Sequence, residues 1–154
     1  MHRTIIADTS VLILLNKIGE LELLKKLYGK ILITEDIADE YGNELPLWFE
    51  IGIVKDIQKQ NLLELQIDKG EASAIALALE SENPTVILDD WKARKIAELI
   101  GLNITGTLGM ILKSKEKGII PKVKPLLDKI KLTNFRISQE LENEILVQAN
   151  EVST

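Results

Sequence analysis

Residues 4–18 read TIIADTSVLILLNKI, and the change of pattern within them decides the fold. Thr4-Ile5-Ile6-Ala7 is an unbroken apolar run, too short for a helix and without the alternation of a strand that has one wet face. It reads as a strand covered on both sides. Asp8-Thr9-Ser10 is a polar turn, and Val11 to Ile18 carries helical spacing that Gly19 closes. The same succession recurs along the chain. Leu21, Leu23, Leu24 and Leu27 form an amphipathic stretch before Gly29, and Ile31-Leu32-Ile33 is a second buried strand. Thr34 then stands where an N-cap belongs, with Glu35 and Asp36 placed against the helix dipole. Ile37, Glu40 and Tyr41 follow on one face. Thr85-Val86-Ile87-Leu88 is a third buried strand, ending at Asp89-Asp90 before a helix from Trp91 to Ile100 that Gly101 stops. Asn103-Ile104-Thr105 is a fourth, and Gly106-Thr107-Leu108-Gly109 leads into a helix from Met110 to Lys117.

Two segments complete the pattern. Asp68-Lys69-Gly70-Glu71 has the spacing of a capping box, and Ala72 to Leu79 is apolar nearly all round, as a buried helix is. Gly42 to Gln60 is the least regular part, holding Leu47-Trp48-Phe49 and a strand expected at Gly52 to Lys55. Trp48 and Phe49 read either as core or as an apolar patch for a partner chain. Ser138 is placed to cap a helix from Gln139 to Asn150. Buried strands alternating with helices predict an α/β fold, a three-layer α/β/α sandwich with a mainly parallel central sheet. The chain is expected to be one domain over residues 1–154, with 119–154 as a helical C-terminal extension, and 154 residues suit a single core.

Composition removes several chemistries. There is no Cys, so a disulfide framework, a thiolate zinc site and a cysteine nucleophile are all excluded. The only His is His2, expected in a mobile terminus, which sets a Ser-His-Asp triad aside. The longest stretch without a charge, Leu99 to Leu112, is shorter than the roughly 18 residues of a membrane span. The opening Met1-His2-Arg3-Thr4 does not resemble a signal peptide, so a cytoplasmic location is expected. The net charge is −5, unevenly spread: residues 113–131 hold seven Lys against Glu116 and Asp128. That stretch either steers a nucleic acid or merely solvates helices.

What remains in abundance is carboxylate, with 24 Asp and Glu. In an open parallel sheet, ligands bind beyond the carboxyl ends of the strands at the topological switch point. Asp8 and the Asp89-Asp90 pair follow strands directly, while Glu71 and Glu40 lie on apolar helix faces. Each has a plainer role available: Asp8, Glu71 and one of Asp89 or Asp90 as helix caps, Glu40 as a surface charge. Brought together they would repel strongly, since two unit charges about 5 Å apart at an effective dielectric near 20 cost roughly 3 kcal/mol. Such a site either raises its pKa values or binds a divalent ion, and oxygen donors favour Mg²⁺ or Mn²⁺.

These pieces together resemble one family. Ile5-Ile6-Ala7-Asp8-Thr9-Ser10, Ile33-Thr34-Glu35-Asp36-Ile37-Ala38-Asp39-Glu40, Gly70-Glu71-Ala72-Ser73-Ala74-Ile75, Asp89-Asp90 with Ala93-Arg94, and Gly106-Thr107-Leu108-Gly109 occur in the order seen in PIN domains, over residues 1 to about 118. The branch they look most like is that of the VapC-like toxin ribonucleases. The resemblance implies a metal-dependent endoribonuclease, the toxin of a type II toxin–antitoxin pair, with Asp8, Glu40, Glu71, Asp89 and Asp90 as catalytic residues. It implies Asp8, Glu71 and Asp89 or Asp90 as ligands of Mg²⁺ or Mn²⁺, and Thr9, Ser10 and Thr107 as supporting hydroxyls. Glu71 departs from the Asp that many relatives carry there, keeping the charge on a longer arm. The expected partners are RNA as substrate, a second copy in a homodimer and a small antitoxin protein, with no membrane. The other readings are a PIN-type nuclease in RNA processing without an antitoxin, and a catalytically silent module that binds protein or RNA.

Overall fold

The computed structural model describes residues 3–151, and His2 lies outside them. Its elements in chain order are β1 (Thr4–Ala7), α1 (Thr9–Lys17), α2 (Glu22–Tyr28), β2 (Ile31–Thr34), α3 (Glu35–Tyr41), β3 (Phe49–Gly52), α4 (Ile57–Leu63), α5 (Lys69–Leu79), β4 (Pro84–Ile87), α6 (Trp91–Ile100), β5 (Asn103–Thr105), α7 (Thr107–Glu116), α8 (Lys124–Lys131) and α9 (Gln139–Gln148). The five strands form one sheet in the order β3-β2-β1-β4-β5, and every pairing is parallel. Helices flank the sheet as the α/β/α sandwich expected from the sequence.

The topology fixes where chemistry can occur. The chain lays β2 and then β3 on one side of β1, and afterwards places β4 and β5 on the other. The order therefore reverses between β1 and β4, and the crevice beyond their carboxyl ends is the natural ligand site. Ala7 pairs with Ile87 and Ile87 with Thr105, so Asp8, Asp89 and Gly106 leave the sheet at one rim.

The strands are buried as their composition requires: Ile5, Ile6, Ala7, Ile31, Ile33, Val86 and Ile87 are all core. Helix α5 lies deepest, with every residue from Gly70 to Ala78 buried. Its run of Gly, Ala and Ser lets the backbone approach the sheet closely, and it packs against β1, β2 and β4. The one hydroxyl this buries is satisfied: Ser73 donates to the Gly70 carbonyl at 2.7 Å and lies 2.7 Å from the Thr34 hydroxyl. Since the Ser73 proton is spent, Thr34 is the donor of that second bond.

Several boundaries differ from the sequence reading. The middle strand runs over Phe49–Gly52 instead of Gly52 to Lys55. Its position is set by pairing with β2, Ile31 opposite Phe49, a contact that local pattern does not carry. The segment read as irregular also includes the start of α4, capped by Asp56, which accepts the Lys59 N–H at 3.1 Å. Its inward position is Gln60, whose amide donates to Asp36 at 2.9 Å and Glu64 at 3.1 Å, so a polar residue hides the helical periodicity. Helices α1 and α7 begin at Thr9 and Thr107, two and three residues earlier than Val11 and Met110. Trp48 and Phe49 stack on each other at 4.3 Å and pack half-buried against the core.

Candidate active site

β1 delivers Asp8 to the N-cap position of α1, yet the side chain makes no capping bond. Its Oδ2 accepts the Ser10 hydroxyl at 3.2 Å instead, and the residue is 3% exposed. Burial, reinforced by the charges of Asp68 and Glu40, pushes its pKa up to about 6 against the opposing hydrogen bonds from the Thr9 amide and Ser10. The plain capping role weighed for Asp8 is therefore not the one it plays.

Glu71 sits three residues into α5 and does form the capping box: its amide donates to Asp68 Oδ1 at 2.8 Å, and its Oε1 accepts the Asp68 N–H at 3.3 Å. A carboxylate at a helix N-terminus is ordinarily stabilised as the anion. Here burial, then the charges of Asp68, Asp8 and Asp90, raise it to about 7. Glu71 is thus a cap and a strained member of a carboxylate group at once. Gly70 makes the arrangement possible, because a Cβ there would lie 2.0 Å from Glu40 Oε1. Glu40 itself is exposed on α3 and accepts the Thr9 hydroxyl at 3.0 Å.

The two acids after β4 divide their tasks. Asp90 caps α6, its Oδ2 accepting the Ala93 N–H at 2.9 Å, and its charge is among those acting on Glu71. Asp89 uses both oxygens on Thr107, accepting the amide at 2.8 Å and the hydroxyl at 2.6 Å. That clamp ties the end of β4 to the start of α7. Arg94 reaches back to donate to the Leu88 carbonyl at 2.8 Å, and Gly106 keeps the space between Arg94 and Asp89 open.

The structure therefore brings Asp8, Glu40, Glu71 and Asp90 into one electrostatic group, with Asp89 anchored at its edge. Each hydroxyl singled out in the sequence holds one acid: Thr9 holds Glu40, Ser10 holds Asp8 and Thr107 holds Asp89. Sequence reading missed Asp68, whose charge raises both buried acids; its capping role was legible and concealed the other. Among the described residues no three acidic side chains stand as a ready-made metal-ligating group. The donor chemistry nevertheless fits a hard divalent ion, since the acids offer only oxygen and carry repulsion that a cation would relieve. The lysine-rich stretch is less basic than it reads. Four of its seven lysines are paired: Lys115 with Glu151, Lys124 with Asp128, Lys129 with Glu20, and Lys131 with Asp128 and Glu142.

A family profile described as PIN domain matches residues 4–151. The chain belongs to the PIN domain family. No curated protein matches it. PIN domains are nucleases in general, act on RNA and generally use divalent metal ions, so membership supports a hydrolase that cuts nucleic acid. The rim of this PIN domain, with acids after β1 and β4 and on α3 and α5, suits that chemistry. Among the described residues no helix is long and apolar enough to cross a membrane.

Proposed function

We propose that this PIN domain is an endoribonuclease dependent on Mg²⁺ or Mn²⁺, and that it is the toxin of a type II toxin–antitoxin pair. The observation that carries the nuclease reading is the pair Asp8 and Glu71, buried at the switch point with pKa values near 6 and 7. Groups so perturbed, converging at a cleft, are characteristic of functional sites. Asp8, Glu71, Asp89 and Asp90 would hold the ion. A bound divalent ion supplies charge neutralisation at the scissile phosphate and a lower pKa for water. Glu40, held by the Thr9 hydroxyl at the exposed lip, would take up the proton of the attacking water. Thr107 holds Asp89 in one rotamer, so the rim is pre-oriented on that side.

The homodimer and the restraining small antitoxin rest on the sequence resemblance, while a cytoplasmic location and one domain over residues 1–154, with 119–154 its helical extension, rest on composition and length. A partner surface is supported by the exposed apolar residues Leu47, Ile53, Ile57, Leu62 and Leu65 around β3 and α4.

The test is cleavage of structured and unstructured RNA with Mn²⁺ or Mg²⁺. Asp8→Asn and Glu71→Gln, which keep shape and hydrogen-bond acceptors, are expected to lose activity by about a hundredfold or more. Cleavage unchanged by chelator, or full activity in both variants, overturns the carboxylate–metal reading. Expression of the chain alone should arrest growth, and Asp8→Asn should relieve the arrest. Active protein without arrest would assign it to RNA processing instead.

A further inference from the structure

Two cavities adjoin the carboxylate rim and share one side chain. The first, of about 390 Å³, is bounded by Asp89, Arg94, Gly106, Phe135 and Arg136; the second, of about 300 Å³, by Ser10, Ile13, Lys17, Asn134 and Phe135. Their far ends lie at the two strand termini, since Ser10 is bonded to Asp8 and Asp89 follows β4. Phe135 belongs to the segment between α8 and α9 and is the wall common to both. One lies beside the end of α1 and the other beside the start of α7, with Phe135 as the wall between them.

Lys115, Lys124, Lys129 and Lys131 are neutralised by carboxylates. Lys17, Arg94 and Arg136, the cations lining the two cavities, have no carboxylate within ion-pair distance among the described residues, as also holds for Lys25 and Lys92. Lys17 stands in the last turn of α1 and Arg136 is exposed. Unpaired cations on both sides of a half-buried aromatic ring, opening onto an anionic rim, match a chain of phosphates that carries unstacked bases.

We propose that the two cavities act together across Phe135 as one groove, the track for an unpaired RNA strand, with Phe135 stacking one base and Arg136, Lys17 and Arg94 holding the flanking phosphates. The proposal rests on the nuclease reading for its substrate class and adds the residues that select single strands. A duplex presents its bases already stacked on one another, so Phe135 gains nothing from it.

The experiment is binding of fluorescein-labelled RNA, single-stranded and as a duplex of the same sequence, followed by anisotropy with chelator present so that no cleavage occurs. The single strand is expected to bind more tightly than the duplex. Phe135→Leu, which keeps apolar bulk but removes the π-face, should weaken single-strand binding about tenfold, the loss of one stacked base, while Phe135→Tyr retains it. Arg136→Gln should lower the slope of log affinity against log salt by about one, whereas Lys25→Gln, on the exposed face of α2, should leave binding to the groove in place. Equal affinity for duplex and single strand, or unchanged binding in Phe135→Leu, overturns the proposal. So does a dimer whose dissociation constant shifts with Phe135→Leu, since the groove would then be filled by a second copy. The two readings fail separately. Phe135-dependent binding without any cleavage removes the nuclease and leaves the track; cleavage unaffected by Phe135→Leu and Arg136→Gln removes the track and leaves the nuclease.

Discussion

Asp8 and Glu71 show what a buried anion costs when no cation balances it. Both have folded-state pKa values above their ordinary ones, near 6 against 3.8 and near 7 against 4.5, with burial the leading cause. Between roughly pH 4 and 7 the folded chain therefore binds more protons than the unfolded chain. By linkage its stability falls as pH rises through that window. For Asp8 the penalty at neutral pH is about 3 kcal/mol at most. Urea denaturation without divalent ions is expected to give lower stability at pH 8 than at pH 5.5. Asp8→Asn or Glu71→Gln should raise stability at pH 8 and flatten the profile. A profile that rises toward pH 8 in the unaltered chain would contradict the electrostatics described. Glu71→Gln suits the comparison because glutamine keeps the capping box while removing the charge.

At the scale of elements, the wall of the groove depends on how α8 and α9 are held. Lys131 on α8 pairs with Glu142 on α9 at 2.7 Å, and Glu151 closes the assembly. Its buried carboxylate accepts the Val123 N–H at 2.6 Å, the Lys124 N–H at 3.1 Å and the Lys115 ammonium at 3.0 Å; Lys115 also reaches the Ala149 carbonyl. Burial alone would raise this carboxyl, but the amide and ammonium donors bring it below its ordinary value. Glu151→Gln leaves one amide with a poorer acceptor and Lys115 without its counter-charge. A loss of about 1–3 kcal/mol is expected in denaturant unfolding, and no loss would remove the clasp from the account. This clasp was not legible in the sequence, because it joins residues far apart in the chain. The same holds for β3, placed by its register on β2, and for α4, whose inward Gln60 breaks the apolar pattern. What was legible was local: Asp8 after an apolar tetrad, the Asp68–Glu71 box, the all-apolar α5. In the lysine-rich stretch, counting charges does not reveal which ones are paired.

For the molecule as a whole, the reversal of strand order between β1 and β4 gathers acids contributed by residues 8 to 90 at one rim, and a cation that binds there should stabilise the fold it bridges. At about a hundredfold excess over its Kd, Mn²⁺ is expected to raise Tm by roughly 5–10 °C. The gain should be larger at pH 8, where the acids are ionised, than at pH 5.5, and should disappear in Asp8→Asn with Glu71→Gln. A shift independent of pH and of both substitutions would place the ion elsewhere.

The Glu151 clasp also bears on the order of events during synthesis. All the rim acids, and Thr107 with them, leave the ribosome before residue 151 does. Folding that proceeds from the N-terminus can assemble the sheet and its carboxylates early. The helices on either side of Phe135 and Arg136 gain a further tie when Glu151 reaches Lys115 and the amides of Val123 and Lys124. A nascent chain thus has its rim acids before the clasp between α8, α9 and Glu151 can form.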